Sequence, residues 1–202
     1  ITIVEGNVYN ATINAPLLNN LVQGGKLFAF GDEQSLILSA KGDGSLSFCT
    51  GCKVAENWVL ESRIDFSNPQ QVFNWFKAAF GTWDDIWQEL FSSDEVWFVP
   101  RPQYHFPLDQ QWVAQPDITM IGDAAHRMPP YAGEGVNQAM QDAYELAGNL
   151  TGNQFKSIQQ AIAHYESNML KRASEITAFT LHNTEMLHSG DPINKMLEIM
   201  TG

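Results

Sequence analysis

The sequence predicts an α+β fold: a mostly antiparallel sheet with helices, then a strand-loop-helix segment and C-terminal helices. Three observations carry this reading. Residues 1 to about 65 alternate short apolar runs with turn signals such as Asn19-Asn20, Gly24-Gly25 and Gly42-Asp43-Gly44, the pattern of hairpins. From residue 67 the apolar spacing changes to three and four, the helical period. A short apolar run of buried-strand type, Asp117 to Ile121, then enters a Gly- and Pro-rich loop and leaves it as an amphipathic helix.

Each element follows from its residues. Ser67 or Asn68 can cap a helix that has Pro69 at its first position and Val72, Phe73, Phe76 and Phe80 on one face. Gly81 stops it, and Thr82 with Asp85 has the spacing of a capping box for a second short helix through Ile86 and Leu90. Between Val96 and Leu108, Pro100, Pro102 and Pro107 restrict the segment to an edge strand or an irregular extended stretch, and Arg101 within it is read as structural. Val136, Ala139, Met140, Ala143, Leu146, Ala147 and Leu150 form the apolar stripe of a helix that ends near Gly148 to Gly152. A long helix follows from Ser157 towards Leu187, with Ile158, Ala161, Ile162, Tyr165 and Met169 on one face. Gly190-Asp191-Pro192 breaks it and opens a short terminal helix carrying Ile193, Met196, Leu197 and Met200.

Composition narrows the function classes. With 202 residues, 44% hydrophobic and 17% charged, the chain can bury a sizeable core. Its six Trp and twelve Phe are predicted to be mostly core, with some free to line an aromatic pocket. A net charge of −12 with 11 Lys and Arg argues against nucleic acid and against an anionic membrane surface. No apolar stretch approaches the roughly 20 residues of a bilayer span, and no signal peptide is visible. Cys49 and Cys52 form a Cys-x-x-Cys, but the flanking residues look like a strand, in which positions three apart face opposite sides. A disulfide would be strained and a zinc site would need two more ligands, so ordinary reduced thiols in a cytoplasmic protein are expected.

The chemistry is concentrated in Gly122 to Asn137, GDAAHRMPPYAGEGVN. Gly133 and Gly135 let a ligand approach the backbone while the new helix aims its free N–H groups outward. Asp123 stands where it can accept hydrogen bonds from ligand hydroxyls, and Pro129 and Pro130 stiffen the loop. His126 is read as a solvated loop residue, too sparsely accompanied for a metal site.

This run resembles the second flavin fingerprint of the FAD-dependent aromatic-ring hydroxylases, the para-hydroxybenzoate hydroxylase type. It is closer still to the tetracycline-inactivating flavin monooxygenases, through Ile118 to Pro130 and, more loosely, through Asp43 to Phe48 and Ile64-Asp65-Phe66. The resemblance implies that Asp123 binds the ribityl chain of FAD and that Pro130 lies beside the isoalloxazine ring. It also implies that Gly133, Glu134, Gly135, Val136 and Asn137 present main-chain N–H groups to the flavin's pyrimidine edge. It implies a substrate-binding sheet with two covering helices over 1–110, a flavin-contacting strand-loop-helix of the FAD-binding domain over 111–152, and C-terminal helices over 153–202. The implied activity is NAD(P)H-dependent hydroxylation of an aromatic or polyketide-like small molecule through a flavin C4a-hydroperoxide, chemistry that the cofactor carries and for which no catalytic side chain is assigned.

By the same resemblance the substrate pocket draws on Glu5, Lys26, Ile37, Ser39 and Ser47 of the sheet, with Pro129 and Tyr131 on the flavin side. The tetracycline-acting subgroup has glutamine, arginine, phenylalanine, asparagine and histidine at the first five, and none is kept, so tetracycline itself is not implied. The family's N-terminal Gly-x-Gly-x-x-Gly turn, which holds the ADP part of FAD, is also missing. The chain opens on Ile1-Thr2-Ile3-Val4, so a fragment lacking an N-terminal FAD-binding half is expected, inactive by itself. Two other classes stay open: a flavin-free relative acting as a binding or interaction module, and a nucleotide-binding protein that converged on a glycine loop. The Pro-Pro pair and the lack of a loop Lys speak against the latter.

Overall fold

A computed structural model describes the backbone of residues 1–201 and side chains as far as Glu198. Two compact units emerge, one formed by Ile1–Pro102 with Leu187–Gly202 and the other by Gln103–Met186. The terminal helix therefore groups with the sheet rather than with the preceding helices.

The first unit is built on a five-stranded sheet of order β2-β3-β4-β1-β5, every pairing antiparallel. Its strands are β1 (Thr2–Val8), β2 (Lys26–Gly31), β3 (Gln34–Ala40), β4 (Leu46–Cys52) and β5 (Val96–Pro102). Two helices not expected from the sequence, α1 (Ala11–Asn14) and α2 (Pro16–Val22), connect β1 to β2. Asn19-Asn20 thus lies inside a helix that starts on Pro16, where proline's fixed φ suits the first turn. The β2–β3 hairpin turns on Asp32 and Glu33, both at positive φ (49° and 59°), the conformation that matches the twist of the flanking strands. β5 pairs only with β1, and on such an edge alternate N–H groups point away from the sheet. Prolines two apart, Pro100 and Pro102, are therefore accommodated.

α3 (Trp58–Glu61) precedes α4 (Pro69–Ala79), which begins as the sequence predicts: the Asn68 side chain accepts from the N–H groups of Gln70 and Gln71, with Pro69 at the first position. The next segment is a 3-10 helix, Asp85–Leu90, capped by Asp84 rather than Thr82. The Thr82 hydroxyl is engaged instead by Asp32 of the β2–β3 turn. One face of the sheet (Val4, Val8, Leu36, Leu38, Leu46, Phe48) packs with α2, α4 and the 3-10 helix into a single core. Phe76 stacks on Phe91 with ring centroids 4.0 Å apart, and Phe91 is stacked on Phe98 at 5.4 Å, so the aromatics are chiefly core, as expected.

Cys49 and Cys52 both lie in β4, on opposite faces, and are free thiols. Burial pushes the Cys49 thiol up to about 11, with the Glu5 carboxylate adding to the effect, and burial pushes Cys52 up to about 12. Among the described residues no cluster of His, Cys, Asp and Glu could hold a metal ion. No described helix is long and apolar enough to cross a membrane.

The second unit contains α5 (Asp123–His126), a 3-10 turn at Pro130–Ala132, α6 (Gly135–Thr151) and most of α7 (Ile158–Leu187); α8 (Pro192–Thr201) belongs to the first unit. Two expectations are corrected here. Asp117 to Ile121 is not a strand: Asp117 lies in a bend, and Ile118, Met120 and Ile121 are exposed. Strand formation needs a neighbouring strand, and among the described residues none pairs with this run. The α6 helix has its expected length but the opposite burial. Gln138 and Asp142 are its buried residues, whereas Val136, Met140, Ala143, Ala147 and Leu150 of the apolar stripe are exposed and only Ala139 and Leu146 are half-buried. The polar side of α6 is buried because it meets Arg172 of α7 in an ionic cluster, while of the apolar stripe Leu146 packs against the cluster that holds Ala125, Tyr165 and Met169.

Candidate functional site

Local geometry in the second unit starts at Gly122. Its φ is +57°, and a Cβ there would stand 3.1 Å from the Ala139 Cβ of α6, so backbone conformation and space both demand glycine. The Gly122 N–H donates to Asp142 Oδ2 at 2.8 Å, and His126 Nε2, at the other end of α5, donates to the same oxygen at 2.5 Å. Arg172 Nη2 donates to Asp142 Oδ1 at 2.6 Å, while its other N–H groups reach Gln138 and Glu145 at 2.9–3.0 Å.

Asp142 is fully buried and His126 is 2% exposed. A buried carboxylate is tolerated only when its charge is paired and its lone pairs are filled, which three donors including a guanidinium accomplish. His126 is therefore not a solvated loop residue as its sequence setting suggested. The neighbouring Tyr165 hydroxyl is pushed well above the ordinary phenol range by burial and by Asp142, stays protonated, and donates to the Met120 carbonyl at 3.0 Å.

Asp123 opens α5 between the two anchored residues, with an exposed carboxylate that has no partner among the described residues. Downstream, Pro129 is buried, Pro130 is exposed, and the Tyr131 carbonyl accepts from Asn183 of α7 at 3.4 Å. The turn ends at Gly133, φ +69°, with open space where a Cβ would stand. The following α6 has no side-chain cap and no acidic residue in its first turn. The N–H groups of Gly135, Val136 and Asn137 have no partner among the described residues, and the Asn137 side chain reaches only Glu134, at 3.4 Å. A 17-residue helix with its first turn free presents partial positive charge to whatever approaches the glycines. Asp123, Pro130, Gly133, Glu134, Gly135, Val136 and Asn137 thus lie on one continuous turn-to-helix path, together with Pro129 and Tyr131. Free N–H donors with one free acceptor carboxylate fit a ligand with an acceptor-rich edge and a hydroxylated chain.

The five sheet residues singled out by the sequence lie in the first unit and share a face. Glu5 stands opposite Cys49, which stands opposite Ile37, and Ser47 stands opposite Ser39, which stands opposite Lys26. Directly opposed residues point the same way, so all five face away from the core. Phe28, opposite Ile37, joins them, as does Arg101, opposite Ile3. Arg101 Nε is ion-paired with Glu5, which gives the residue read as structural a partner among the predicted pocket residues. Beside Phe28 and Phe30, a cavity of about 700 Å³ is lined by apolar side chains that include Leu21, Trp87, Met196 and Leu197. Its size suits a small organic ligand. None of the five predicted residues lines it.

Sequence reasoning missed Asp142, Arg172 and the anchoring role of His126. The available signal was the polar row Gln138, Asp142 and Glu145, at helical spacing four and three, with Arg172 in the next helix to meet it.

Residues 107–180 match the family model described as FAD binding domain. The FAD-dependent monooxygenase phnB of Penicillium herquei is 32% identical over 108 residues, covering 50% of this chain and 26% of that protein. Among solved structures, HpxO of Klebsiella pneumoniae, complexed with FAD and uric acid, superposes with a TM-score of 0.71 at 16% identity, over 98% of this chain and 47% of the other. The tetracycline destructase Tet(55) does so at 0.61 and 16%, over 91% and 45%. At such identities the structural likeness establishes the fold alone. The resemblance to FAD-dependent aromatic-ring hydroxylases and the α+β fold are thereby borne out, and the chain spans half or less of the length of these relatives.

Proposed function

We propose that this chain is the substrate-sheet and flavin-loop part of an FAD-dependent monooxygenase that uses NAD(P)H to hydroxylate an aromatic or polyketide-like small molecule. The observation that carries the reading is the free first turn of α6 behind Gly133, with the unpartnered Asp123 carboxylate upstream of it. Bound FAD would supply the reductive activation of dioxygen, and the chain would supply positioning and electrostatics. Asp123 would accept from the ribityl hydroxyls. The Gly133 N–H is taken by the Pro130 carbonyl at 2.9 Å, so the free N–H groups of Gly135, Val136 and Asn137 would bind the pyrimidine edge and, with the helix dipole, favour the electron-rich reduced ring. Pro130 would lie beside the ring and Pro129 and Tyr131 would border the substrate.

Glu5, Lys26, Ile37, Ser39 and Ser47 would offer hydrogen bonds and one apolar contact from the core-averted face of the sheet, and Phe28 would offer a stacking surface. The apolar cavity beside Phe28 supports a substrate with a sizeable hydrocarbon or ring portion. An N-terminal dinucleotide-binding half would complete the flavin site and cover the exposed Val136, Met140 and Tyr144 side of α6, an arrangement consistent with the length shared with relatives.

The test is a fusion of the dinucleotide-binding half of phnB to this chain, loaded with FAD and supplied with NADPH, labelled dioxygen and a panel of phenols, quinolones and polyketides. The reading expects NADPH oxidation coupled to incorporation of one labelled oxygen atom into at least one substrate class. A fusion that binds FAD and oxidises NADPH without any oxygenated product across the panel contradicts it; a folded fusion with no flavin points to a flavin-free binding module.

A further inference from the structure

We propose that Asp142 is the positioning residue of the flavin loop: from inside α6 its carboxylate fixes both ends of the Asp123 turn to the same helix whose first turn faces the flavin. The inference rests on the flavin reading above and adds residues that neither the loop's sequence nor any family resemblance stated above assigns.

The geometry is specific. Asp123 is exposed and makes no contact of its own that fixes it, yet the residue before it, Gly122, and the residue three after it, His126, both donate to one oxygen, Asp142 Oδ2. The Gly122 bond is made by the main chain, so it fixes the backbone from which Asp123 departs. Asp142 lies two turns into α6, seven residues beyond Gly135, and helix stiffness carries its position to the N-terminal amides. One buried carboxylate thus sets the spacing between the proposed ribityl acceptor and the proposed ring-edge donors.

Arg172 completes the device from α7. By occupying Oδ1 at 2.6 Å it places a positive charge against the fully buried carboxylate, and its links to Gln138 and Glu145 clamp α6 along two turns. The His126 ring has one further feature: its Nδ1 is buried and without a hydrogen-bond partner in the structure. Beside it is a cavity of about 10 Å³ bordered by Gln110, Ser174 and Thr177, the room of a single water molecule. A water there would fix the tautomer that donates from Nε2.

The experiment uses the 202-residue chain with FAD as the probe, titrated by flavin fluorescence, alongside amide hydrogen exchange at Gly122 and far-UV circular dichroism. In the parent chain the Gly122 amide is expected to exchange as a protected amide, because its acceptor is buried. Asp142→Asn is expected to weaken FAD binding about tenfold or more and to release Gly122 while helix content is kept, the loss of charge-assisted anchorage rather than of fold. Should that variant fail to fold, His126→Leu and His126→Gln decide: the leucine is expected to weaken FAD binding and loosen Gly122, and the glutamine, which retains a donor, to lose less of both. A folded Asp142→Asn chain that binds FAD like the parent, or equal losses in the two His126 variants, overturns the proposal while leaving the flavin reading intact. Where the 202-residue chain alone shows no saturable binding, the same variants are titrated in its fusion to the dinucleotide-binding half, and absence of saturable FAD binding in both overturns the flavin reading and the proposal with it.

Discussion

Gly6→Ala is the most sharply determined perturbation of the sheet. Gly6 lies in β1 between Phe48 of β4 and Phe98 of β5, and a Cβ there would be 2.3 Å from Phe48 Cζ and 2.7 Å from Cε1. An ordinary carbon contact is about 3.7 Å, so the ring must retreat by roughly 1.4 Å. It has nowhere to go: Phe48 is 1% exposed and abuts Phe91, which is itself stacked between Phe76 and Phe98. Overpacking of a filled core costs about 1–3 kcal/mol, and a clash this deep belongs at the upper end. Trp58, Trp75, Trp83, Trp87 and Trp97 all lie in the first unit, so urea unfolding followed by tryptophan fluorescence reports its stability. The expected loss is about 3 kcal/mol. Phe48→Leu, harmful alone because it leaves a void, should recover part of it in the double variant, with a coupling of about 1–2 kcal/mol. A Gly6→Ala loss below about 0.5 kcal/mol, or strict additivity of the pair, would refute the packing argument.

Other expectations address the second unit and the thiols. Arg172→Met leaves Asp142 buried without its cationic partner and should cost about 3–5 kcal/mol, whereas Asp142→Asn combined with Arg172→Met, which removes the charge but keeps an acceptor for Gly122 and His126, should cost less, both measured by urea titration of the helical signal, to which the 17- and 30-residue α6 and α7 contribute most. Cys49 and Cys52, raised from 9.0 to about 11 and about 12, should resist iodoacetamide at pH 8 in the native chain and react once it is unfolded; equal rates would show the thiols to be exposed. Because the folded state holds these protons more tightly than the unfolded one, stability of the first unit should be fully present below about pH 9 and fall as pH rises towards 11, as read from urea midpoints; a flat profile would contradict the burial. Gly133→Ala meets no neighbour but must hold φ +69°, so it should cost only about 1 kcal/mol of stability and weaken FAD binding through displacement of the amides behind it; equal FAD affinity would remove Gly133 from the flavin path.

What could be read from the sequence was local in origin. The Asn68-Pro69 start of α4, the proline-bearing edge strand β5, the alternating strands and the extents of α6, α7 and α8 are set by residues within a turn or two of each other. The misreadings concern partners. A periodic stripe says which residues of α6 share a side, but whether Val136 and Met140 or Gln138 and Asp142 are covered depends on what packs there, and Arg172 lies 30 residues away. Asp117 to Ile121 has strand composition, yet a strand exists only by pairing. The loop carried its glycines, prolines and Asp123 in plain order, while the carboxylate that fixes its shape lies 19 residues beyond Asp123 on a helix face that the hydrophobic pattern marks as outer.

The most direct test of the flavin assignment is equilibrium titration of FAD with the purified 202-residue chain, parent against Asp123→Ala, read by flavin fluorescence and the visible spectrum. Asp123 is exposed and unpartnered, so the substitution leaves the fold alone and removes one charged acceptor, a loss of about 1.5–3 kcal/mol in binding, or roughly 10- to 150-fold. The account predicts saturable quenching by the parent chain and a weakening of that size in the variant. No saturable quenching by either the chain or its fusion to the dinucleotide-binding half, or identical curves for parent and variant, would contradict it.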